Sequence, residues 1–270
     1  QNERAKDSNT PKIAQSNINN RMNLRQLEGI LWHDLDLGYK ILSVKDLSGK
    51  DIPITIVKTM MRVDLPQPLM PGQKTEFTMD WTFNIHDRMS FIGGRPGYEY
   101  FEKDGNYLYT MAEWFPRMAV YSDFQGWQHK QFVGRGEFAL TFGDYKVKIT
   151  VPADHMVGST GVLQNADKVL SATELDRWKA AQKTFDKPVV IRTQAEAEKL
   201  EKTKAKDKKT WEFHAENVRD FAWTSSRKFI WDAMAVKQGG NEVMAMSYYA
   251  KEANPLWGQY STKVVAHTLK

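Results

Sequence analysis

The sequence predicts a mainly β protein, an antiparallel sandwich that carries a small helical insertion. Apolar and polar residues alternate along much of the first 163 residues, most clearly in residues 77–85, and this period of two is typical of half-buried strands. Aromatic residues make up 12% of the chain, and they suit the half-buried surface of a pleated sheet. Two helix-start patterns then follow each other between residues 171 and 209. These three observations define the predicted fold class.

The predicted strands occur before and after the helical segment. Two of the early runs meet at Gly143-Asp144, which predicts a hairpin turn, and Gln238-Gly-Gly-Asn241 predicts another turn near the end. The runs with strand character are residues 39–44, 52–56, 61–65, 77–85, 138–142, 145–151, 189–191, 211–215, 221–224, 229–231 and 243–249.

Capping boxes mark the predicted helices. Ser171 with Glu174, and Thr193 with Glu196, have the spacing in which the first side chain and the backbone three residues later bond each other. The second helix is predicted to run toward Lys206 and to lie on the surface, because its charges occur on every side. A last amphipathic helix begins near Pro255, and the residues predicted near one apolar face are Leu256, Tyr260, Val264 and Leu269.

Composition excludes several classes of function. The chain contains no cysteine, so disulfides, thiolate zinc sites and cysteine nucleophiles are absent. The net charge of +5 owes much to five lysines between residues 202 and 209. Because no aromatic residues are interleaved with them, we expect a solvated face and no nucleic-acid partner. No apolar run approaches the roughly 18 residues of a membrane span, so no transmembrane segment is predicted.

Residues 109–127 are the candidate functional stretch. They combine six aromatic residues with Glu113, Arg117 and the helix-breaking Pro116, a mixture that favours a loop presenting a charged group from a rigid aromatic bed. No complete active site accompanies this stretch. None of the six histidines lies four residues from another or precedes a glutamate, so the two-histidine helical zinc site is absent. We therefore predict no catalytic residue and no metal-binding residue within this chain.

Short motifs, taken in order along most of the chain, carry a family resemblance. They are Met61-Arg-Val-Asp-Leu-Pro66, Pro71-Gly-Gln73 with Trp81 beyond it, Gly97-Tyr-Glu-Tyr-Phe-Glu102, Trp114-Phe-Pro-Arg117, Gly126-Trp127, Phe142-Gly-Asp-Tyr145, Val151-Pro152 and Val218-Arg-Asp-Phe-Ala-Trp-Thr224. With these motifs the chain resembles the N-terminal domain of zinc aminopeptidases of the aminopeptidase N type, a bacterial branch of the gluzincin metallopeptidases.

The resemblance implies a saddle-shaped sandwich in residues 1–236, lacking its first strands and carrying the helical insertion 171–209. Residues 237–270 would begin a following α/β catalytic domain, which would hold the Zn²⁺ and the His-Glu-x-x-His helix. The expected partners are a peptide substrate and the protein's own catalytic domain. This chain alone is expected to be inactive, and family analogy favours export in a Gram-negative-type cell.

Similar N-terminal domains lend a Gln-x-Glu/Gln loop to the substrate site, where it holds the free amino terminus of the peptide. Aligned on Arg117, this pattern falls on Met111-Ala-Glu113, so Glu113 matches its second position and Met111 replaces the usual glutamine. The resemblance thus implies that Glu113 binds substrate. The alternative for Glu113 is a surface ion pair with Arg117 or Lys130.

Two other functions remain open at this point. The chain could be a free-standing β-sandwich module that binds carbohydrate or protein, since aromatic surfaces serve both tasks. It could also belong to a pseudoenzyme with the same architecture and a defunct zinc site.

Overall fold

The computed structural model describes residues 23–24, 27, 36, 38–89, 95–130 and 139–270. Strand accounts for 41% and helix for 17%, and the strands pair in several antiparallel sheets. The predicted class, a mainly β sandwich-type fold with a small helical part, is therefore confirmed. No helix among these residues is long and apolar enough to cross a membrane.

The elements of the described ranges follow one another in a long run of strands broken by two helical stretches. In chain order the strands are β1 (Lys40–Asp46), β2 (Ile54–Val57), β3 (Met60–Val63), β4 (Phe77–Thr82), β5 (Gly97–Phe101), β6 (Asn106–Met111), β7 (Tyr121–Ser122), β8 (Gly126–Trp127), β9 (Gly143–Pro152), β10 (Met156–Ser159), β11 (Val162–Leu163), β12 (Val189–Arg192), β13 (Lys208–Val218), β14 (Trp223–Ser226), β15 (Ile230–Gln238) and β16 (Asn241–Tyr249). The helices are α1 (Ala166–Val169), α2 (Ala172–Ala181), α3 (Gln194–Leu200) and α4 (Leu256–Thr268), with a 3₁₀ turn at Lys251–Ala253.

The chain separates into two compact units. The first consists of Gln1–His86 with Phe115–Phe142, and the second of Asp87–Trp114 with Gly143–Lys270. In the first unit, β1 pairs with β4, β2 with β3 and β7 with β8, each pair antiparallel. The β1–β4 and β2–β3 sheets match the strands predicted before residue 86, whereas the β7–β8 pair lies in the stretch that was predicted to be a loop.

The second unit is built from three sheets. Their strand orders are β10-β14-β6-β5, β11-β13-β9 and β12-β15-β16. Helix α4 packs on β15 and β16, where Ala266 joins a buried cluster with Met234, Val236 and Ala245. Large aromatic side chains fill this unit: Trp178 lies 5.0 Å from Trp231 between ring centroids, and Trp231 stacks on Tyr248 at 5.3 Å.

Close packing also explains one glycine in β10. A Cβ atom built on Gly158 would lie 2.7 Å from the ring of Tyr248, which is closer than carbon atoms approach without something moving. Strand β10 can pass this close to the Tyr248 ring because residue 158 has no side chain.

Both capping boxes are confirmed. The Ser171 hydroxyl accepts a hydrogen bond from the Glu174 amide and begins α2, and Thr193 does the same with Glu196 at α3. Helix α3 ends at Leu200 and does not continue toward Lys206. Its predicted surface position is confirmed for the residues around Ala197, which are exposed or half-buried, whereas Ala197 itself is 1% exposed and packs with Ile230 and Tyr249.

The predicted hairpin at Gly143-Asp144 is wrong for the part of it that the structure describes. Residues 139–142 are not in a strand, and Phe138 lies outside the described residues. Strand β9 pairs instead with β13, so that Ile149 lies opposite Trp211 and Val147 opposite Phe213. This long-range pairing sets the buried side chains of Trp211 and Phe213 on β13 opposite apolar residues of β9, and burial of apolar surface is the dominant favourable term in folding.

The apolar face predicted for the last helix is mostly exposed. Leu256, Tyr260 and Val264 are 61%, 55% and 59% exposed, while Thr262 and Ala266 are buried. Hydrogen bonds between buried polar side chains explain this orientation of the helix. The Thr262 hydroxyl bonds the carboxylate of Asp232, which also accepts a 2.7 Å bond from the Tyr249 hydroxyl. These bonds, which satisfy a buried carboxylate, help to decide which helix face turns inward.

Candidate functional site

The predicted site begins where strand β6 ends. Met111 is the last residue of β6 and lies opposite Trp223 of β14. Its side chain is 1% exposed, so the residue at the first position of the expected loop pattern points into the packed interior. Of the two pattern positions, only Glu113 is at the surface.

Aromatic packing holds the turn that follows β6. The indole Nε1 of Trp114 donates a 2.8 Å hydrogen bond to the carbonyl of Phe221. The Trp114 ring also meets the rings of Phe221 and Trp223 edge to face, at centroid distances of 6.5 and 6.4 Å. Buried Met111 thus fixes the turn on one side and Trp114 fixes it on the other. This packing agrees with the aromatic support that the sequence predicted for the loop.

Glu113 itself adopts an unusual backbone conformation. Its φ angle is +52°, in the left-handed region that residues with a side chain rarely adopt and that costs about 1–2 kcal/mol. Such conformations persist only where the surrounding structure determines them, and they often occur at functional sites. The exposed carboxylate is therefore presented from a backbone that its neighbours hold in place.

The rest of the predicted stretch, residues 115–127, belongs to the first unit. There, Tyr121 and Trp127 lie across the short β7–β8 pair, with ring centroids 5.3 Å apart in an edge-to-face arrangement. Trp127 is 52% exposed, so its packing is one-sided. Arg117 is half-buried in this unit.

Among the described residues, no group of three or more His, Asp or Glu side chains is placed to hold a metal ion. The Zn²⁺ that the family resemblance implies therefore has no ligand set in the described part of this chain.

A buried ionic cluster, which sequence reasoning missed, lies in the second unit. Lys228 is fully buried, and its ammonium bonds the carboxylates of Asp104, Glu201 at 3.1 Å and Glu252 at 3.0 Å. Burial alone lowers the pKa of Lys228, but the hydrogen bonds with Asp104, Glu252 and Glu201 outweigh it, so the pKa is raised. Lys251 joins the cluster through a 2.5 Å bond to Glu201.

A second buried group adjoins this cluster. Arg227 bonds both carboxylate oxygens of Asp154, at 3.0 and 3.2 Å, and the side chain of Asn106 at 3.2 Å. His155 Nδ1 lies 2.8 Å from the Ser225 hydroxyl, and both side chains are buried. The polar run Ser225-Ser-Arg-Lys228 between two aromatic segments was the sequence signal for these buried charges.

Comparison with known proteins gives a distant structural likeness. No protein-family model and no curated protein matches the chain. The M1 zinc metallopeptidase from Deinococcus radiodurans matches 80% of the chain with 16% identity and a TM-score of 0.43. A mutant of that protein with a bound Tyr-Ser-Ala substrate matches 85% at 15% identity and a TM-score of 0.45.

A two-domain M1 zinc metallopeptidase mutant bound to L-tryptophan gives similar values, 86% of the chain, 15% identity and a TM-score of 0.45. The matched segment spans 39–44% of the length of these three solved structures. At these values the likeness does not assign the chain to a family.

Proposed function

We propose that this chain is the non-catalytic N-terminal portion of a zinc-dependent metallopeptidase and that Glu113 binds the free amino terminus of the peptide substrate. The observation that carries the proposal is the exposed Glu113 carboxylate at φ +52°. It stands on a turn anchored by Trp114, immediately before the Trp114-Phe-Pro-Arg117 motif on which the family resemblance rests.

The chemistry of a carboxylate suits this task. A charge-assisted hydrogen bond to an ammonium group is roughly twice as strong as a neutral one. Fixing one end of a peptide also restricts where its first amide bond can lie, which contributes to rate by positioning. Because Met111 is buried, the proposed contact depends on Glu113 without help from the residue two positions earlier.

The proposed domain division follows the resemblance. Residues 1–236 would form the N-terminal domain, with the insertion 171–209, and residues 237–270 would begin the catalytic domain that binds Zn²⁺. This boundary falls inside β15, which pairs with β16 along its whole length, so the proposed division concerns function and not a break in folding. The peptide and the protein's own catalytic domain are the proposed partners, and export is the proposed localisation.

The test of the Glu113 contact is a binding comparison on the 270-residue chain. Isothermal titration would compare Ala-Ala-Ala carrying a free amino terminus with its N-acetylated form, for the wild type, Glu113→Gln and the control Glu102→Gln. Hydrogen bonds to charged groups contribute about 1.5–3 kcal/mol, so we expect Glu113→Gln to weaken free-peptide binding by roughly 10- to 150-fold. The acetylated peptide should bind the wild type no better than the free peptide binds the variant.

Equal binding of the free and acetylated peptides, or an equal loss of affinity in Glu102→Gln, would refute the role proposed for Glu113.

The peptidase part of the proposal has a separate test. The coding sequence after residue 270 should contain His-Glu-x-x-His, and a longer protein should bind zinc and cleave peptides from the amino terminus. A downstream sequence without that motif refutes it.

A further inference from the structure

A groove in the second unit lies apart from the Glu113 turn. It has a volume of about 470 Å³ and lies between residues of β5, β6 and β14 and the segment that joins β16 to α4. Small-molecule sites in proteins are typically pockets of about 300–1,000 Å³ that are lined mainly by apolar and aromatic groups with a few polar ones. Glu113 does not line this groove.

One part of the groove lining contains an ion pair, in which Glu99 already engages the positive charge of Arg88. Arg88 Nε lies 3.2 Å from Glu99 Oε1, and Arg88 Nη1 donates to the Thr110 hydroxyl at 3.4 Å. The side chains of Arg88 and Glu99 are about 30% exposed, at 32% and 28%. The guanidinium is therefore engaged by a carboxylate and a hydroxyl of the groove itself.

Another part of the lining carries Glu252, whose side chain is 44% exposed. Its Oε1 atom lies 3.0 Å from the ammonium of Lys228, a residue that is fully buried behind the lining. The ionic cluster there combines three carboxylates, of Asp104, Glu201 and Glu252, with two ammonium groups, of Lys228 and Lys251. Lys204, whose ammonium donates to the carbonyl oxygens of Asp104 and Gly105 at 3.0 and 2.8 Å, adds a third positive charge that balances the three carboxylates, and Glu252 is the acidic member of this cluster that lines the groove.

Aromatic rings supply the apolar surface. Trp257 is 47% exposed and lies 6.1 Å from the ring of Tyr249. Phe101 also lines the groove, and Lys228 Nζ sits 4.5 Å from its ring centroid, so this ring already accepts a cation. The faces of aromatic rings attract organic cations by about 0.5–2 kcal/mol, depending on how far the site is desolvated.

We propose that this groove is a binding site for a small organic ammonium ion with an aromatic or branched apolar body. The ammonium group would lie beside the exposed Glu252 carboxylate, and the apolar body would lie against Trp257. A carboxylate ligand is disfavoured, because Glu99 already engages the Arg88 charge and the half-exposed Glu252 carboxylate on the lining would repel a second carboxylate. The site is independent of the role proposed for Glu113.

The test uses three probes of the same shape on the 270-residue chain: 2-phenylethylammonium, 2-phenylethanol and phenylacetate. Binding is followed by isothermal titration and by tryptophan fluorescence. Glu252→Gln and Trp257→Ala are the diagnostic variants. Their matched controls are Glu242→Gln, an exposed glutamate outside the groove, and Trp127→Ala, which removes a ring of similar exposure, 52%. Circular dichroism establishes that each variant is folded.

We expect saturable binding of the ammonium probe, with the alcohol and the carboxylate about tenfold weaker or worse. Glu252→Gln and Trp257→Ala should each weaken binding of the ammonium probe by about fivefold or more, while both controls stay within about twofold. No saturation by the ammonium probe, equal affinity for the three probes, or full affinity in either diagnostic variant would overturn the proposal.

Discussion

His155 is buried beside a charged pair, and mild acid should therefore destabilise the fold through this residue. It is 4% exposed. Burial and, to a smaller extent, the neighbouring positive charge of Arg227 lower the pKa of His155 from 6.5 to about 4, and the Asp154 carboxylate opposes them only in part. The folded protein thus holds this imidazole neutral over a range in which an unfolded chain would bind a proton.

The sign and size of the effect follow from these two pKa values. Since the folded-state pKa is the lower one, the contribution of His155 to stability is complete above pH 6.5 and is lost as the pH falls toward 4. Between about pH 7.5 and 4.5, the unfolded state gains a proton that the folded state largely refuses. With pKa values of 6.5 and about 4, this lowers the free energy of unfolding by roughly 2.5 kcal/mol.

Urea unfolding of the wild type and of His155→Asn at these two pH values measures the effect. The amide nitrogen of asparagine can occupy the place of Nδ1 near Ser225, but the side chain does not titrate. The pH-dependent loss should be about 2.5 kcal/mol smaller in the variant. The carboxylates with lowered pKa values are present in both proteins, so their contributions to the pH dependence largely cancel; they are Asp46, Asp104, Asp154, Glu174 and Glu196. Equal pH-dependent losses in the two proteins would show that His155 does not carry the effect.

Two further substitutions test the interior of the second unit, each against an exposed residue of the same type and each by urea unfolding at neutral pH. Met111→Gln places an amide at a site that is 1% exposed and should cost about 1–3 kcal/mol, whereas Met118→Gln, at a site 61% exposed, should change stability by less than about 0.5 kcal/mol. A tolerated glutamine at position 111 would contradict the buried placement of this side chain. Lys228→Met leaves the carboxylates around it without their ammonium partner and should cost about 3–5 kcal/mol, while Lys202→Met on the surface should cost less than about 0.5 kcal/mol. Similar losses in the two lysine variants would show that the buried ionic cluster does not hold the fold together.

Local patterns in the sequence were sufficient for the type and place of most elements. The alternation in residues 77–85 gave β4, and the alternating residues around Trp211 gave β13. Both capping boxes marked true helix starts, since they depend on residues three positions apart. The pairing partner of each strand was harder to predict. The pairing of β9 with β13 joins residues about sixty positions apart, and alternation says which face of a strand is buried but not which strand lies beside it.

The ends and faces of the later helices also depended on distant groups. Helix α3 ends at Leu200, and the next residue, Glu201, is 5% exposed and bonds Lys228 and Lys251. Helix α4 turns Thr262 inward toward the carboxylate of Asp232. In both cases a buried polar group, with its partner on another element, outweighed the local pattern of apolar residues.

For the candidate site, the sequence by itself determined that residues 109–127 form an aromatic-rich stretch and that Glu113 is its distinctive acid. Only the tertiary structure decided that Met111 is buried, that Trp114 bonds the Phe221 carbonyl, and that Glu113 stands exposed at φ +52°. The groove between Arg88 and Trp257 has no counterpart in any local motif. Its lining comes from several separate segments of the second unit, and such an arrangement exists only once long-range packing has brought those segments together.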